Sequence, residues 1–313
     1  MLRFILRRLG SGVVLLVALA VLGFFLLQLG STDTAQRIAG QNAGPEAVAV
    51  IEERYGLDQP VLVQFRDWAS AAVTGDFGRS WFTGQPVLDS VTSRIAVTSA
   101  LAVGAVVLTA IVAILLGTLA ATRRGVVDRA VQVLAVIGQA IPGFLVAVGL
   151  VLLFAIQLRW FPATGYTRFS DSAGDWVRSV TLPIIALTIG AIGGVAQLVR
   201  SSMLDVLDKD FVRTLRSRGL PYRRIVYRNV LRNAAGPALS LLGLQFVTTL
   251  GGAVIVEQVF SIPGIGPLAV SSTGQSDIPV VMGIILATGT VVLVVNTLVD
   301  LASAWINPKV RLS

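Results

Sequence analysis

Residues Ala96–Ala121 read AVTSALAVGAVVLTAIVAILLGTLAA, 26 residues without one charged side chain. A helix rises about 1.5 Å per residue and a bilayer's hydrocarbon core is about 30 Å thick, so roughly 20 apolar residues cross it. This stretch is long enough. In lipid a helix also satisfies every backbone N–H and C=O internally. Five further stretches read the same way: Ser11–Leu29, Ala130–Leu158, Val180–Val199, Pro237–Val259 and Ile278–Ile306. None has a Lys or Arg in its interior. The fold class is therefore an all-α membrane protein with six transmembrane helices. Pro142-Gly143 sits near the middle of the third span, so a kink or tilt is expected there. Gly190-Ala191-Ile192-Gly193-Gly194 offers small residues for close helix approach in lipid.

The whole chain agrees. Of 313 residues, 54% are apolar and 13% charged, against about 45–50% and about 25% in soluble domains. Mean hydropathy is +0.79. There is no Cys and no His. Disulfides, thiolate nucleophiles, Ser-His triads and HExxH zinc sites are thereby excluded. We expect no metal site and no catalytic residue. The two lysines, Lys209 and Lys309, follow Asp208 and Pro308. A phosphate-cradling Walker A loop needs Gly before its Lys. The chain has no such loop, so any ATP that drives it is hydrolysed by another polypeptide.

Arg3, Arg7 and Arg8 ahead of the first span resemble the start of a signal peptide. No A-x-A-like site follows Leu29, and five spans come after it, so the segment is expected to be retained. Arg3 and Arg7, four apart, suit a short basic helix at the inner surface. With the N-terminus inside, segments 1–10, 122–129, 200–236 and 307–313 hold 17 basic residues. The outside segments 30–95, 159–179 and 260–277 hold 8. Net charge divides as +13 inside, −3 outside and −2 within the spans. Cytoplasmic loops carry such an excess, so both termini are expected in the cytoplasm. Anionic lipid and topology account for the basic balance, and no nucleic-acid partner is expected.

Residues Arg200–Pro237 read RSSMLDVLDKDFVRTLRSRGLPYRRIVYRNVLRNAAGP. Asp210 is a candidate N-cap and Gly219 a candidate C′ glycine for a short helix over Phe211–Arg218. Pro221 suits the first position of a second helix returning to the membrane. Arginines 213, 216, 218, 223 and 224 surround the short element, interleaved with Leu215, Leu220, Ile225 and Val226. A solvated basic loop facing anionic lipid and a docking element for an acidic cytosolic partner are both consistent with this pattern.

The stretch Asp210-Phe211-Val212-Arg213-Thr214-Leu215-Arg216-Ser217-Arg218-Gly219-Leu220, followed by Leu231-Arg232-Asn233-Ala234, resembles the EAA loop of ABC importer permeases. The similarity is to the first (B-type) permease of the dipeptide/oligopeptide (and nickel) family. Leu215 stands where Ala is usual, and Ser217-Arg218 where Ala-Lys is usual. Arg54-Tyr55-Gly56-Leu57-Asp58, then Gln64, Trp68 and Gly75-Asp76-Phe77-Gly78, are similar to that family's first outside loop. Glu257-Gln258-Val259-Phe260-Ser261-Ile262-Pro263-Gly264-Ile265-Gly266 resembles its E-x-V-F-x-x-P-G-x-G segment. Asp300 with Asn307-Pro308-Lys309 resembles its D…D-P-R ending, with Asn and Lys replacing the usual residues.

The resemblance covers nearly the whole chain and implies a type I importer permease fold. It implies a basic segment and first helix at 1–29, a helical extracytoplasmic loop at 30–95, a five-helix core at 96–306 and a cytoplasmic tail at 307–313. Asp210, Phe211, Arg213, Thr214, Arg216, Arg218, Gly219 and Leu220 would couple to an ATPase, within the loop 200–236. The implied partners are a second permease, one or two cytosolic ATPase subunits carrying ATP and Mg, and an extracytoplasmic solute-binding protein. The implied solutes are dipeptides, oligopeptides or nickel complexes, crossing a bacterial cytoplasmic membrane.

In the outside loop, Pro45–Tyr55 ended by Gly56, and Pro60–Val73 ended by Gly75, read as two short helices. Polar residues inside spans are candidates for pathway or gating roles: Gln139, Gln197, Gln245, Glu257 and Asp300, with Pro142 at the kink. Glu257 is expected near the outer end of its helix and Asp300 near the inner end of its own. Pairing between helices is at least as good a reading of both carboxylates. An ion-driven secondary transporter normally shows mid-membrane carboxylates and inverted repeats. Neither is evident here, and an intramembrane enzyme lacks its usual side chains.

Overall fold

The computed structural model describes residues 2–30, 34–40, 42–123 and 125–306. The expected ending Asn307-Pro308-Lys309 lies outside them. Among the described residues there is no strand, only an isolated antiparallel bridge between Arg79 and Pro86. The helices are α1 (Leu2–Leu29), α2 (Thr34–Ala39), α3 (Pro45–Tyr55), α4 (Val61–Val73), α5 (Val87–Thr122) and α6 (Val126–Ala140). They continue as α7 (Gly143–Leu150), α8 (Ala173–Leu207), α9 (Asp210–Ser217), α10 (Tyr222–Arg224), α11 (Leu231–Val259), α12 (Ile265–Gln275) and α13 (Ile278–Ile306). Wider π turns extend α7 over Val151–Gln157 and join α10 to α11 over Ile225–Val230.

Among the described residues five helices are long and apolar enough to cross a membrane, α1, α5, α8, the continuous rod Tyr222–Val259 and α13, and a bent pair of helices passes the same test as a sixth span. The third expected span is not one helix. It breaks between α6 and α7, whose axes differ by 94°. Pro142 has no N–H to donate, and it pushes the residue before it out of the helical region. Ile141 accordingly takes φ −84°, ψ 121°. Pro142 O then accepts from Leu145 N–H at 2.9 Å and starts α7.

Helices also outrun the apolar runs that announce them. α5 begins at Val87 rather than Ala96, and α8 spans 35 residues. Backbone hydrogen bonds do not depend on side-chain polarity, so a stable membrane helix continues into water. Residues between 200 and 236 are therefore mostly helical, and only 208–221 connect α8 to the returning rod. The basic N-terminal residues form no separate surface helix, because α1 is continuous from Leu2 to Leu29. In the outside loop α3 covers Pro45–Tyr55 as the sequence predicts, and Gly56 closes it at φ 64°. α4 starts at Val61, with Pro60 as its N-cap.

The chain forms two compact units. One comprises Leu2–Thr98 with Pro263–Leu293. There Phe24 of α1 is buried against Phe65 of α4, ring centroids 5.3 Å apart. Gln28 Nε2 donates to Gln64 Oε1 at 2.8 Å. The buried Asp277 carboxylate accepts from Ser80 Oγ at 2.5 Å and from Trp81 N–H at 3.3 Å. Thr98 Oγ1 accepts from Ile265 N–H, 2.8 Å, at the start of α12.

The other unit comprises Ser99–Ile262 with the chain from Val294. Its core joins Val199, Met203 and Val206 of α8 to Ile225, Val226 and Val230 of the π turn. Lipid offers no hydrophobic force between spans, so close backbone packing carries helix association. A Cβ at Gly193 of α8 would lie 2.5 Å from Ala135 O and 2.6 Å from Gln139 Nε2. The α6 backbone and α8 therefore touch at a position where only Gly fits.

Candidate functional site

α9 is eight residues long and carries most of the expected coupling residues. Its N-cap is Lys209, not Asp210. Lys209 has φ −72°, ψ 148°, and its carbonyl accepts from Val212 N–H at 3.0 Å. Asp210 is the first helical residue, where a carboxylate still favours the positive helix end. It pairs with Arg213 at 3.5 Å, both side chains exposed. At the other end Gly219 takes φ +74°. Gly219 N–H donates to Arg216 O at 2.9 Å and Leu220 N–H to Leu215 O at 3.3 Å. This is a Schellman closure, with Leu215 and Leu220 both packed on the core below. Pro221 precedes α10 as its N-cap rather than opening it, and its carbonyl accepts from Arg224 N–H.

Val212 is the anchor. It is fully buried in the cluster that holds Met203, Val206 and Ile225. Asp210, Phe211, Arg213, Thr214, Arg216 and Arg218 are exposed around it. Leu220 is half-buried. Arg216 stacks on the exposed Tyr222 ring at 5.5 Å. The element thus presents arginines and Phe211 outward on a pinned, capped helix. The i, i+3 spacing of Val212 and Leu215 carried the signal for this buried face, although Val212 was absent from the expected site residues.

In the same unit a cavity of ≈370 Å³ opens beside the break. Pro142, Gly143 and Phe144 form one wall, α8 supplies a second through Leu187 and Gly190, and α11 a third. The polar wall is on α11: Gln245, Thr248 and Thr249, with Gln245 Nε2 3.5 Å from Thr249 Oγ1. Of the expected pathway residues, Pro142 and Gln245 meet here. Gln139 instead packs at the Gly193 contact, its amide donating to Ala135 O at 3.1 Å. Gln197 is half-buried on α8, outside the cavity lining. Glu257 is wholly buried in the last turn of α11 and does not line the cavity. Asp300 is half-buried on α13, also outside it. Among the described residues no cluster of Asp and Glu could hold a metal ion.

One polar contact had no sequence signal. Arg200 of α8 makes a forked pair with Asp128 of α6, Nε to Oδ1 at 2.5 Å and Nη2 to Oδ2 at 2.6 Å. Gln132 Nε2 also donates to Asp128 Oδ1 at 2.9 Å. The partners are 72 residues apart, beyond any local pattern.

Residues 113–312 match the family described as binding-protein-dependent transport system inner membrane component, and residues 1–102 match its N-terminal membrane-component family. The chain belongs to this family. Transport-system permeases are similar to it over their full length. One is named a probable peptide ABC transporter permease protein of Sinorhizobium fredii, 38% identical over 98% of this chain and 99% of its own. Another is the glutathione transport system permease protein GsiC of Salmonella choleraesuis, 34% identical over 99% of each chain. This inner membrane component is thus a multi-pass ABC-type permease subunit.

Proposed function

We propose that the chain is one of two permeases that together form a path for small peptides across the cytoplasmic membrane, driven by ATP hydrolysed on separate subunits. One observation carries the reading: α9 is short, capped, pinned by Val212 and arginine-rich outside. Such an element suits a cleft on a cytosolic ATPase that carries ATP and Mg, since a stiff helix transmits displacement. The excess of basic residues in the inner segments, 17 against 8 outside, supports a cytoplasmic position for α9 and both termini. Motion of α9 would tip the path between inward- and outward-open states. The chain contributes no bond-breaking chemistry of its own.

The cavity supports the peptide class. Its wall is largely apolar, with one amide and two hydroxyls a turn apart on α11. These groups can donate to and accept from peptide bonds while fixing no single side chain. The relatives' names, peptide and glutathione permease, point the same way. A solute-binding protein would dock on the outside loop and supply most of the selectivity. Nickel complexes are the second reading, but the cavity lining offers no imidazole, thiolate or carboxylate for a transition metal.

The test is co-expression with its partner subunits, purification, and uptake into proteoliposomes. We expect a second permease and an ATPase to co-purify, and ATP-dependent uptake of a labelled dipeptide. Uptake by the lone chain on a proton gradient would overturn the reading.

A further inference from the structure

The Asp128–Arg200 pair sits where two moving parts would have to be joined. α6 is a 15-residue helix with an irregular backbone at each end. Gly125 before it takes φ +93°, and Ile141 after it leaves the helical region. Backbone rigidity therefore ends at both termini, and packing on α8 must hold α6 in place. Its outer face is apolar: Val133, Leu134, Val136 and Ile137 are exposed. Its inner face is held by the Gly193 contact at one end and by the forked pair at the other.

Each partner has a second attachment. Arg200 lies seven residues before Leu207, the last residue of α8, after which α9 follows. Asp128 lies in the first turn of α6, whose far end leads into the Pro142–Gly143 wall of the cavity. α8 reaches both α9 and the cavity through its own backbone. α6 reaches α9 through its packing on α8, at the Gly193 contact and at the forked pair. The pair is also oriented: two parallel N–H···O bonds fix angle as well as distance, which a single ammonium cannot do. Both side chains are largely removed from water, at 26% and 14% exposure. At that burial, removing one partner leaves a poorly solvated charge, so the two helices stay together or separate as a step.

We infer that the Asp128–Arg200 pair is a positioning contact that makes α6 follow α8, so that displacement of α9 reaches the Pro142 wall of the cavity. The inference rests on the permease reading and extends it to two residues outside the coupling loop's exposed face. Arg200 and Asp128 touch no solute; they act through α6.

Two measurements test it, one of which needs no transport. The natural chain has no Cys, so cysteines introduced at Val133 of α6 and Ser201 of α8 accept spin labels selectively. We expect a single narrow distance distribution in the wild type, a broad one in Asp128→Asn and in Arg200→Lys, and a narrow one again in the swap Asp128→Arg/Arg200→Asp. An unchanged distribution in Asp128→Asn would overturn the inference, as would a swap that stays broad. In the reconstituted complex, uptake and ATP hydrolysis are measured on one sample. Uptake per ATP is expected to fall about 2- to 30-fold in Asp128→Asn, the range for residues in a coupling network, and to recover in the swap. An unchanged ratio in the assembled complex would refute the positioning role. A wild-type complex that moves no solute on ATP would instead refute the permease reading, and the spin-label result would still decide whether the pair holds α6.

Discussion

Val212 and Asp277 show how single side chains set local stability. Val212 fixes α9 to the core from a fully buried position. Val212→Ala removes the equivalent of about two buried methylenes, and the loss is about 2 kcal/mol once the cavity is included. A lower melting temperature of the purified subunit checks this; an unchanged one would mean that Val212 is not the anchor. Asp277 precedes α13, and burial pushes its carboxyl above the ordinary Asp value of 3.8, while the Ser80 and Trp81 hydrogen bonds pull it part of the way back. The folded state thus holds the proton more tightly than the unfolded chain. The stability from this group is complete below 3.8 and declines as pH rises through the higher folded value. Arg37 is the cation near this turn, donating to Gly274 O and Ser276 Oγ. Acidification from about pH 7 toward about pH 4 should favour the wild type over Asp277→Asn in thermal melts. A gap independent of pH would contradict the assignment.

Among the helices, legibility followed the physics of each signal. Long apolar runs disclosed the spans, because bilayer thickness fixes their minimum length. Their ends were not legible, since α5 and α8 continue into polar sequence on backbone hydrogen bonds alone. Pro142 announced a distortion but not its size: the proline forbids one conformation, and packing against α8 and α11 sets the 94° bend. Gly219 was legible because a positive φ is needed there and a C′ glycine is a local feature. The Asp128–Arg200 pair was not, because tertiary packing alone brings those positions together. The α6–α8 contact yields a prediction with its own control. Gly193→Ala would place a Cβ 2.5 Å from Ala135 O, whereas Gly149→Ala meets nothing within 4 Å. The first should destabilise by about 1–3 kcal/mol through overpacking, and the second by far less. Comparable melting temperatures for the two variants would place the helix contact elsewhere.

Over the whole molecule, the sequence counts become a division of labour. With no Walker A lysine in the chain, the ATP that drives the proposed transport would be hydrolysed on another subunit. Its basic residues divide 17 to 8 between the segments expected inside and those expected outside. Tags at both termini should therefore be protected from added protease in intact spheroplasts and cleaved after lysis; cleavage in intact cells would invert the topology. In the proposed mechanism α9 is the element that carries the ATPase stroke into the spans. Gly219 probes it cleanly, because a Cβ there meets no atom within 4 Å while φ +74° strains any other residue. The deciding measurement is uptake per ATP hydrolysed by the reconstituted complex carrying Gly219→Val. Strain of about 1–2 kcal/mol should open the C-terminal closure of α9 and lower that ratio, or prevent the ATPase from assembling. Wild-type uptake per ATP at wild-type complex yield would contradict the account.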